Sequence, residues 1–160
     1  FIRPGNTLQD WVARDNTPAL GVIQANEREL FLYRMSHYGQ DSAHMTRYSL
    51  RLDGFASLSA PYEGGEAITR LFTFKGDSLS INYASSAAGE VRVEIQDEYG
   101  QAVPSFTLDQ CIPVFGDELD RAIEWDNDSS LTKLVGRPIR LRFLLKDADL
   151  YSFKFSPLKN

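Results

Sequence analysis

Turn signals recur along this chain about every ten residues, a spacing typical of short antiparallel strands. Asp53-Gly54, Gly64-Gly65, Lys75-Gly76-Asp77 and Tyr99-Gly100 each interrupt runs of β-branched, aromatic and aliphatic residues. Glycine reaches positive φ without a steric penalty, so each of these sites is a natural corner between strands. Parallel sheets need crossovers of a dozen or more residues, usually helical, and this spacing leaves no room for them. The corners therefore confine the chain to antiparallel β-structure.

Between the corners, strands are expected over Leu30 to Tyr33, Met45 to Leu52, Phe55 to Ser59, Ala67 to Phe74, Ser78 to Ala84 and Glu90 to Gln96. Three more are expected over Ala122 to Trp125, Pro138 to Leu145 and Leu150 to Phe155. Period-two alternation is clearest in Arg140-Leu141-Arg142-Phe143 and Tyr151-Ser152-Phe153-Lys154-Phe155, giving one apolar and one wet face. Phe72, Phe74, Phe143, Phe153 and Phe155 read as core. Two places look helical: Asp117 to Arg121 after Gly116, and Ser129 to Val135, where Ser130 is placed to cap a turn that Gly136 ends. The expected fold is an all-β, antiparallel, jelly-roll-like β-sandwich with one or two short helical turns. With 160 residues, of which 42% are apolar, one domain with one core is expected over 1–160. A composition shift near Ala60-Pro61 marks 1–60 as an N-terminal strand group and 61–160 as the main sandwich.

Charge narrows the partners. The formal net charge is -5 and the 17 basic residues are scattered, which argues against nucleic acid, whose phosphates demand clustered Lys and Arg. No apolar run approaches the ~20 residues of a membrane-spanning helix, so no membrane partner is expected. Cys111 is alone, so no internal disulfide can form, and a small buried hydrophobe is the expected role. The first residue is Phe rather than Met, which suggests processing or excision from a longer protein.

Six motifs run in order along the chain: Trp11-Val12-Ala13-Arg14-Asp15-Asn16, His37-Tyr38-Gly39-Gln40, Arg47-Tyr48-Ser49-Leu50-Arg51-Leu52-Asp53-Gly54-Phe55, Pro61-Tyr62-Glu63-Gly64-Gly65, Arg92-Val93-Glu94-Ile95-Gln96-Asp97, and the closing Lys146-Asp147-Ala148-Asp149-Leu150-Tyr151-Ser152-Phe153. Through them, from Trp11 to Phe155, the chain resembles the carboxy-terminal region of glycosidase-like bacterial proteins related to the five-bladed β-propeller glycoside hydrolases of the fructanase and arabinanase type. The resemblance implies a β-sandwich packed beside a propeller, with the segment before about Ala60 corresponding to the propeller's last strands. It also implies a secreted or periplasmic setting and a neighbouring catalytic domain. The catalytic carboxylates of such propellers come from earlier blades, which this sequence lacks, so no catalytic residue carries over.

Local chemistry adds no reaction signature. A glycosidase needs two carboxyls at a defined separation, and no motif selects a pair among 22 acidic residues. No Gly-x-Ser-x-Gly elbow, phosphate-cradling loop or zinc-ligand spacing occurs. Two binding constellations remain. Asp126 and Asp128, in the acidic loop Asp126-Asn127-Asp128-Ser129, offer the hard oxygens of a structural calcium site. Trp11, Tyr33, Tyr38, Tyr62 and Trp125 are aromatic platforms on which a sugar face can stack. His37 and Gln40 beside Tyr38 supply polar groups, so Trp11, His37, Tyr38, Gln40 and Trp125 form the carbohydrate-binding candidates. The expected function is a non-catalytic accessory or carbohydrate-binding module. Two alternatives stand: a structural domain that self-associates or holds a partner, and a small glycosidase whose site is invisible in sequence. Asp147 and Asp149 near the final turn are placed either to pair with Arg140 and Arg142 or to bond turn amides, as Asp commonly does.

Overall fold

The computed structural model describes residues 2–11, 17–126 and 130–157. The chain is all-β and antiparallel, with a sandwich-like fold, and its described helical content is two single 3-10 turns, Leu8–Trp11 and Leu131–Leu134. It forms two compact units, Phe1–Gly54 and Phe55–Asn160.

The first unit is a four-stranded sheet built on β3 (Glu29–Ser36). One edge of β3 carries β4 (His44–Arg51), with Glu29 opposite Arg51 and Ser36 opposite His44. The other edge carries two short pieces, β1 (Thr17–Pro18) and β2 (Ile23–Gln24), with Gly21 at φ 90 between them. In β3, the run Leu30-Phe31-Leu32-Tyr33 places apolar side chains on both faces of the sheet, because successive residues point to opposite sides. Arg47 faces outward as its alternation demands, and its guanidinium lies 4.5 Å from the centre of the Phe31 ring.

The second unit rests on two long strands, β7 (Ser78–Gln96) and β9 (Arg140–Ser156), which pair from Ser78↔Ser156 to Gln96↔Arg140. β5 (Leu58–Ala60) and β6 (Gly65–Ile68) line the other edge of β9, opposite Ala148–Leu150 and Arg142–Leu145 respectively. The register of β7 on β9 shifts twice, between Asn82 and Tyr83 and between Ser85 and Glu90; at the second shift Asp147 of β9 is skipped, and its amide bonds the Pro61 carbonyl in the Pro61–Gly64 turn between β5 and β6. Asp147 takes a left-handed φ of 43 there, and an alanine Cβ at Gly89 would lie 2.5 Å from the Asp147 carbonyl oxygen. Small residues at 85–89 thus read as a loop in sequence, yet one continuous bulged strand passes through them.

Two expectations about local structure are corrected. Asp117–Ala122 is not helical: it is β8, paired with β7 at Ser80–Ala84. Helix propensity in this acidic stretch loses to the backbone bonds that the open edge of β7 offers. Nor is Asp53-Gly54 a hairpin corner, since β4 pairs with β3 and β5 with β9, and it is Asp53, at φ 59, that adopts the left-handed conformation. Tyr99-Gly100 is a true corner: Gly100 has φ 80, and the Asp97 carboxylate accepts from the amides of Tyr99 and Gln101 at 2.9 Å each.

Beyond β8, the edge of β7 is closed by loops. Val91 exchanges backbone bonds with Val114, and Ile95 bonds Phe106 and Val103. Val93, between them, is served by side chains instead. Its amide donates to the Cys111 Sγ at 3.2 Å, and its carbonyl accepts from the Trp125 indole Nε1 at 3.0 Å. Around this seam lies the core, with Leu79, Ile81, Tyr83, Val91, Val93, Ile95, Leu141 and Phe143 all buried. Phe74 is buried too, whereas Phe153 is 38% exposed and lies at the rim of the unit rather than in its core.

Candidate functional site

The candidate residues Trp11, His37, Tyr38 and Gln40 all fall in the first unit, and three of them belong to one hydrogen-bonded corner. Its first element is the 3-10 turn Leu8–Trp11, preceded by Thr7. Asp10, three residues after Thr7, reaches back in the manner of a capping box: its Oδ2 accepts from the Thr7 amide at 2.9 Å and from the Thr7 hydroxyl at 2.6 Å. Gly5 makes room for this carboxylate, since a Cβ there would sit 2.5 Å from Asp10 Oδ2. The carbonyl of Gly5 accepts from the Trp11 indole Nε1 at 3.0 Å. With its N–H bonded inside the unit, the Trp11 ring stays 70% exposed.

The second element is the connection between β3 and β4. His37 follows the last residue of β3 and takes a left-handed φ of 54, an arrangement that costs a non-glycine residue of order 1 kcal/mol. A turn follows, with the Gln40 amide on the His37 carbonyl at 3.1 Å and the Ala43 amide on the Gln40 carbonyl at 3.0 Å. Two bonds tie this connection to the 3-10 turn. The His37 Nε2 lies 3.3 Å from Asp10 Oδ1, and the Gln40 side-chain amide donates to the Gln9 carbonyl at 3.1 Å.

The other imidazole nitrogen, His37 Nδ1, lies 2.9 Å from the Ser42 hydroxyl. His44 completes the cluster. Its Nδ1 donates to the Ser42 carbonyl at 2.8 Å, and its ring stands edge-on to His37 with centroids 5.0 Å apart. The side chains of His37 and Asp10 are 19% and 12% accessible. The Thr7 hydroxyl and then the Thr7 amide hold the Asp10 carboxyl below the usual carboxylate range, against partial burial, with His37 adding to the effect. Tyr38, 48% exposed, extends from the same turn.

Other candidates lie elsewhere. Trp125 is corrected from a platform to a core residue: it is 8% exposed, with its indole on Val93 and its ring edge-on to Phe106 at 5.1 Å. A ring so enclosed has no face for a sugar. Asp126 follows it, with its amide on the Gln110 carbonyl at 2.8 Å, while Asp128 lies outside the described residues, as do Val12 to Asn16 of the amino-terminal motif. Among the described residues, no group of three or more His, Cys, Asp or Glu is placed to hold a metal ion. Tyr62 is exposed in the second unit, with the Lys146 ammonium 4.4 Å from its ring centre.

Arg142 does not pair with Asp147 or Asp149. Its guanidinium grips Glu66 at 2.6 and 3.0 Å and reaches Glu94 at 3.5 Å, because β6 and β7 flank it on the sheet. Arg140 donates to the Thr69 carbonyl at 3.3 Å, and Asp149 accepts from the Ser57 hydroxyl at 2.8 Å. A groove of about 520 Å³ beside β9, lined by Leu58, Ile68, Phe143 and Phe153 among others, has no charged side chain in its lining. The chemistry-bearing groups are concentrated instead in the first unit's corner.

Sequence reasoning selected His37 and Gln40 but missed Asp10 and Ser42, which the fold brings to them. The capping-box spacing of Thr7 and Asp10 was the one legible signal for the carboxylate. Comparison of the chain with protein-family models, curated proteins and solved structures returned no match.

Proposed function

We propose that this chain is an accessory module of a carbohydrate-active protein and holds a glycan on the surface of its first unit, around Trp11 and Tyr38. The observation that carries this reading is the anchoring of Trp11. An indole fixed through its own N–H and left 70% exposed is a pre-formed stacking surface, at which little conformational freedom remains to be lost on binding. Tyr38 adds a second exposed ring, and Gln40 keeps the turn that bears it on the Trp11 segment. The resemblance to glycosidase-like bacterial proteins points the same way and gives the module a neighbouring catalytic domain as its partner.

Calorimetric titration against fructan, arabinan and xylan, with calcium and again with chelator, tests the reading. Saturable heat is expected with at least one glycan, and Trp11→Ala and Tyr38→Ala each weaken it at least tenfold. Absence of heat across the panel, or binding unchanged in Trp11→Ala, overturns it.

One observation favours a second reading, a structural domain that meets a partner through the first unit. Among its described residues no apolar side chain is fully buried, and Leu20, Val22, Ile23 and Met45 are exposed. Sedimentation of the whole chain distinguishes the two: concentration-dependent self-association lost in Ile23→Lys supports the second reading, and a monomer that binds glycan supports the first.

A further inference from the structure

The hydrogen-bond chain Ser42–His37–Asp10 has the connectivity of a nucleophile, a base and a group that orients the base. Its proton positions follow from chemistry. Asp10 is a carboxylate and can only accept, so the imidazole nitrogen facing it, Nε2, carries the hydrogen. In the neutral ring Nδ1 is then the bare nitrogen, and the Ser42 hydroxyl 2.9 Å away donates to it. This is the tautomer a general base needs. The Asp10 carboxylate is itself fixed, because Thr7 holds its other oxygen through two hydrogen bonds. His37 occupies a left-handed backbone conformation, the kind of local strain that accumulates where a side chain must be aimed. Ser42 is exposed, so its hydroxyl is within reach of a ligand from solvent.

The geometry points to acyl transfer at this corner: Ser42 is the nucleophile, His37 the general base and Asp10 the residue that orients it, acting on small acyl esters. The preference for esters carried on a glycan rests on the binding reading above. Ser42 Oγ attacks the ester carbonyl carbon while its proton passes to His37 Nδ1. The bond from that carbon to the alcohol oxygen then breaks, and His37 returns the proton to the leaving alcohol. Water attacks the acyl-Ser42 ester in the same way, with His37 taking one of its protons, and the carboxylic acid leaves as Ser42 regains its hydrogen. Water is the sole co-reactant in this balance.

The test uses the whole chain with two probes, a fluorophosphonate that labels activated serines and p-nitrophenyl acetate. Peptide mass spectrometry is expected to place the phosphonyl group on Ser42, and hydrolysis is expected to fall at least tenfold in Ser42→Ala and in His37→Asn. Asp10→Asn, a positioning change, is expected to lower kcat and shift the pH profile with little change in KM.

Unlabelled Ser42, or hydrolysis unchanged in Ser42→Ala, overturns the inference, and the unchanged rate would identify turnover by His37 or His44 as ordinary surface imidazoles. Ser42→Ala removes one exposed hydroxyl, and an unaltered circular dichroism spectrum checks its fold. Glycan titration of the wild-type chain and of Ser42→Ala separates the two proposals: binding retained in Ser42→Ala without esterolysis leaves the binding reading standing, whereas a wild-type chain that hydrolyses p-nitrophenyl acetate through Ser42 but binds no glycan loses only the glycan preference.

Discussion

Trp125 gives the sharpest test of how the second unit is held together. Among the described residues, its indole is the donor to the Val93 carbonyl on the side of β7 away from β9, where a strand would otherwise pair. Trp125→Phe keeps most of the ring but deletes the N–H. That leaves a buried carbonyl without its partner, at a cost of about 1–3 kcal/mol. Trp125→Ala also removes the ring from its edge-on contact with Phe106 and leaves a cavity, and such truncations cost about 3–5 kcal/mol. With an m-value of about 2 kcal/mol/M in urea, the midpoints should fall by about 1 M for Phe and about 2 M for Ala. Circular dichroism during urea unfolding reads both shifts. Trp11→Ala provides the contrast: its ring is 70% exposed and lies in the other unit, so the midpoint of the second unit should not move. A Trp125→Ala protein that unfolds at the wild-type midpoint while losing glycan affinity would refute the reasoning and restore Trp125 as a platform.

The remaining predictions concern Cys111 and Asp10. Burial raises the Cys111 thiol's pKa, and the Val93 amide donates to its sulfur, so a thiol reagent should fail to label it in the native protein and should label it fully in urea. Rapid native labelling would contradict this. Cys111→Ala should destabilise the second unit by about 1–3 kcal/mol, because the Val93 amide loses its acceptor; an unchanged urea midpoint would show the contact to be dispensable.

The Asp10 carboxyl is held low first by the Thr7 hydroxyl, then by the Thr7 amide, with His37 contributing. A depressed folded-state pKa gives stabilisation that is complete above the ordinary carboxylate range near pH 4 and is lost as pH falls through the lower folded value. The Trp11 corner should therefore loosen in acid, visible as a shift in tryptophan emission. Asp10→Asn should abolish that step, and an identical acid transition in the variant would show that another group controls it.

Much of the architecture was legible because strands declare themselves locally. Alternation in Arg140-Leu141-Arg142-Phe143 and the Tyr99-Gly100 corner follow from the period of a pleated chain and the steric freedom of glycine. What escaped depended on distant partners. Ser85 to Gly89 looks like a turn between two strands, but β9 resumes pairing beyond it, so two expected strands are one. Asp117 to Arg121 carries no strand pattern and becomes β8 because an open edge lies beside it. Trp125 could have been either exposed or buried until Val93 was found with a carbonyl to satisfy.

The candidate site divides in the same way. Trp11, His37, Tyr38 and Gln40 could be nominated from residue type, since aromatic and polar side chains in loops have few other purposes than turns and contacts. Asp10 stands 27 positions from His37, and no spacing rule links them. The sequence alone determined that the chain would make antiparallel strands with close-set corners, because side-chain alternation and backbone φ are properties of neighbouring residues. Only the tertiary structure decided which edges those strands would meet and which serine, histidine and carboxylate would share a proton path, because hydrogen bonds across a fold depend on distances that the order of residues does not contain.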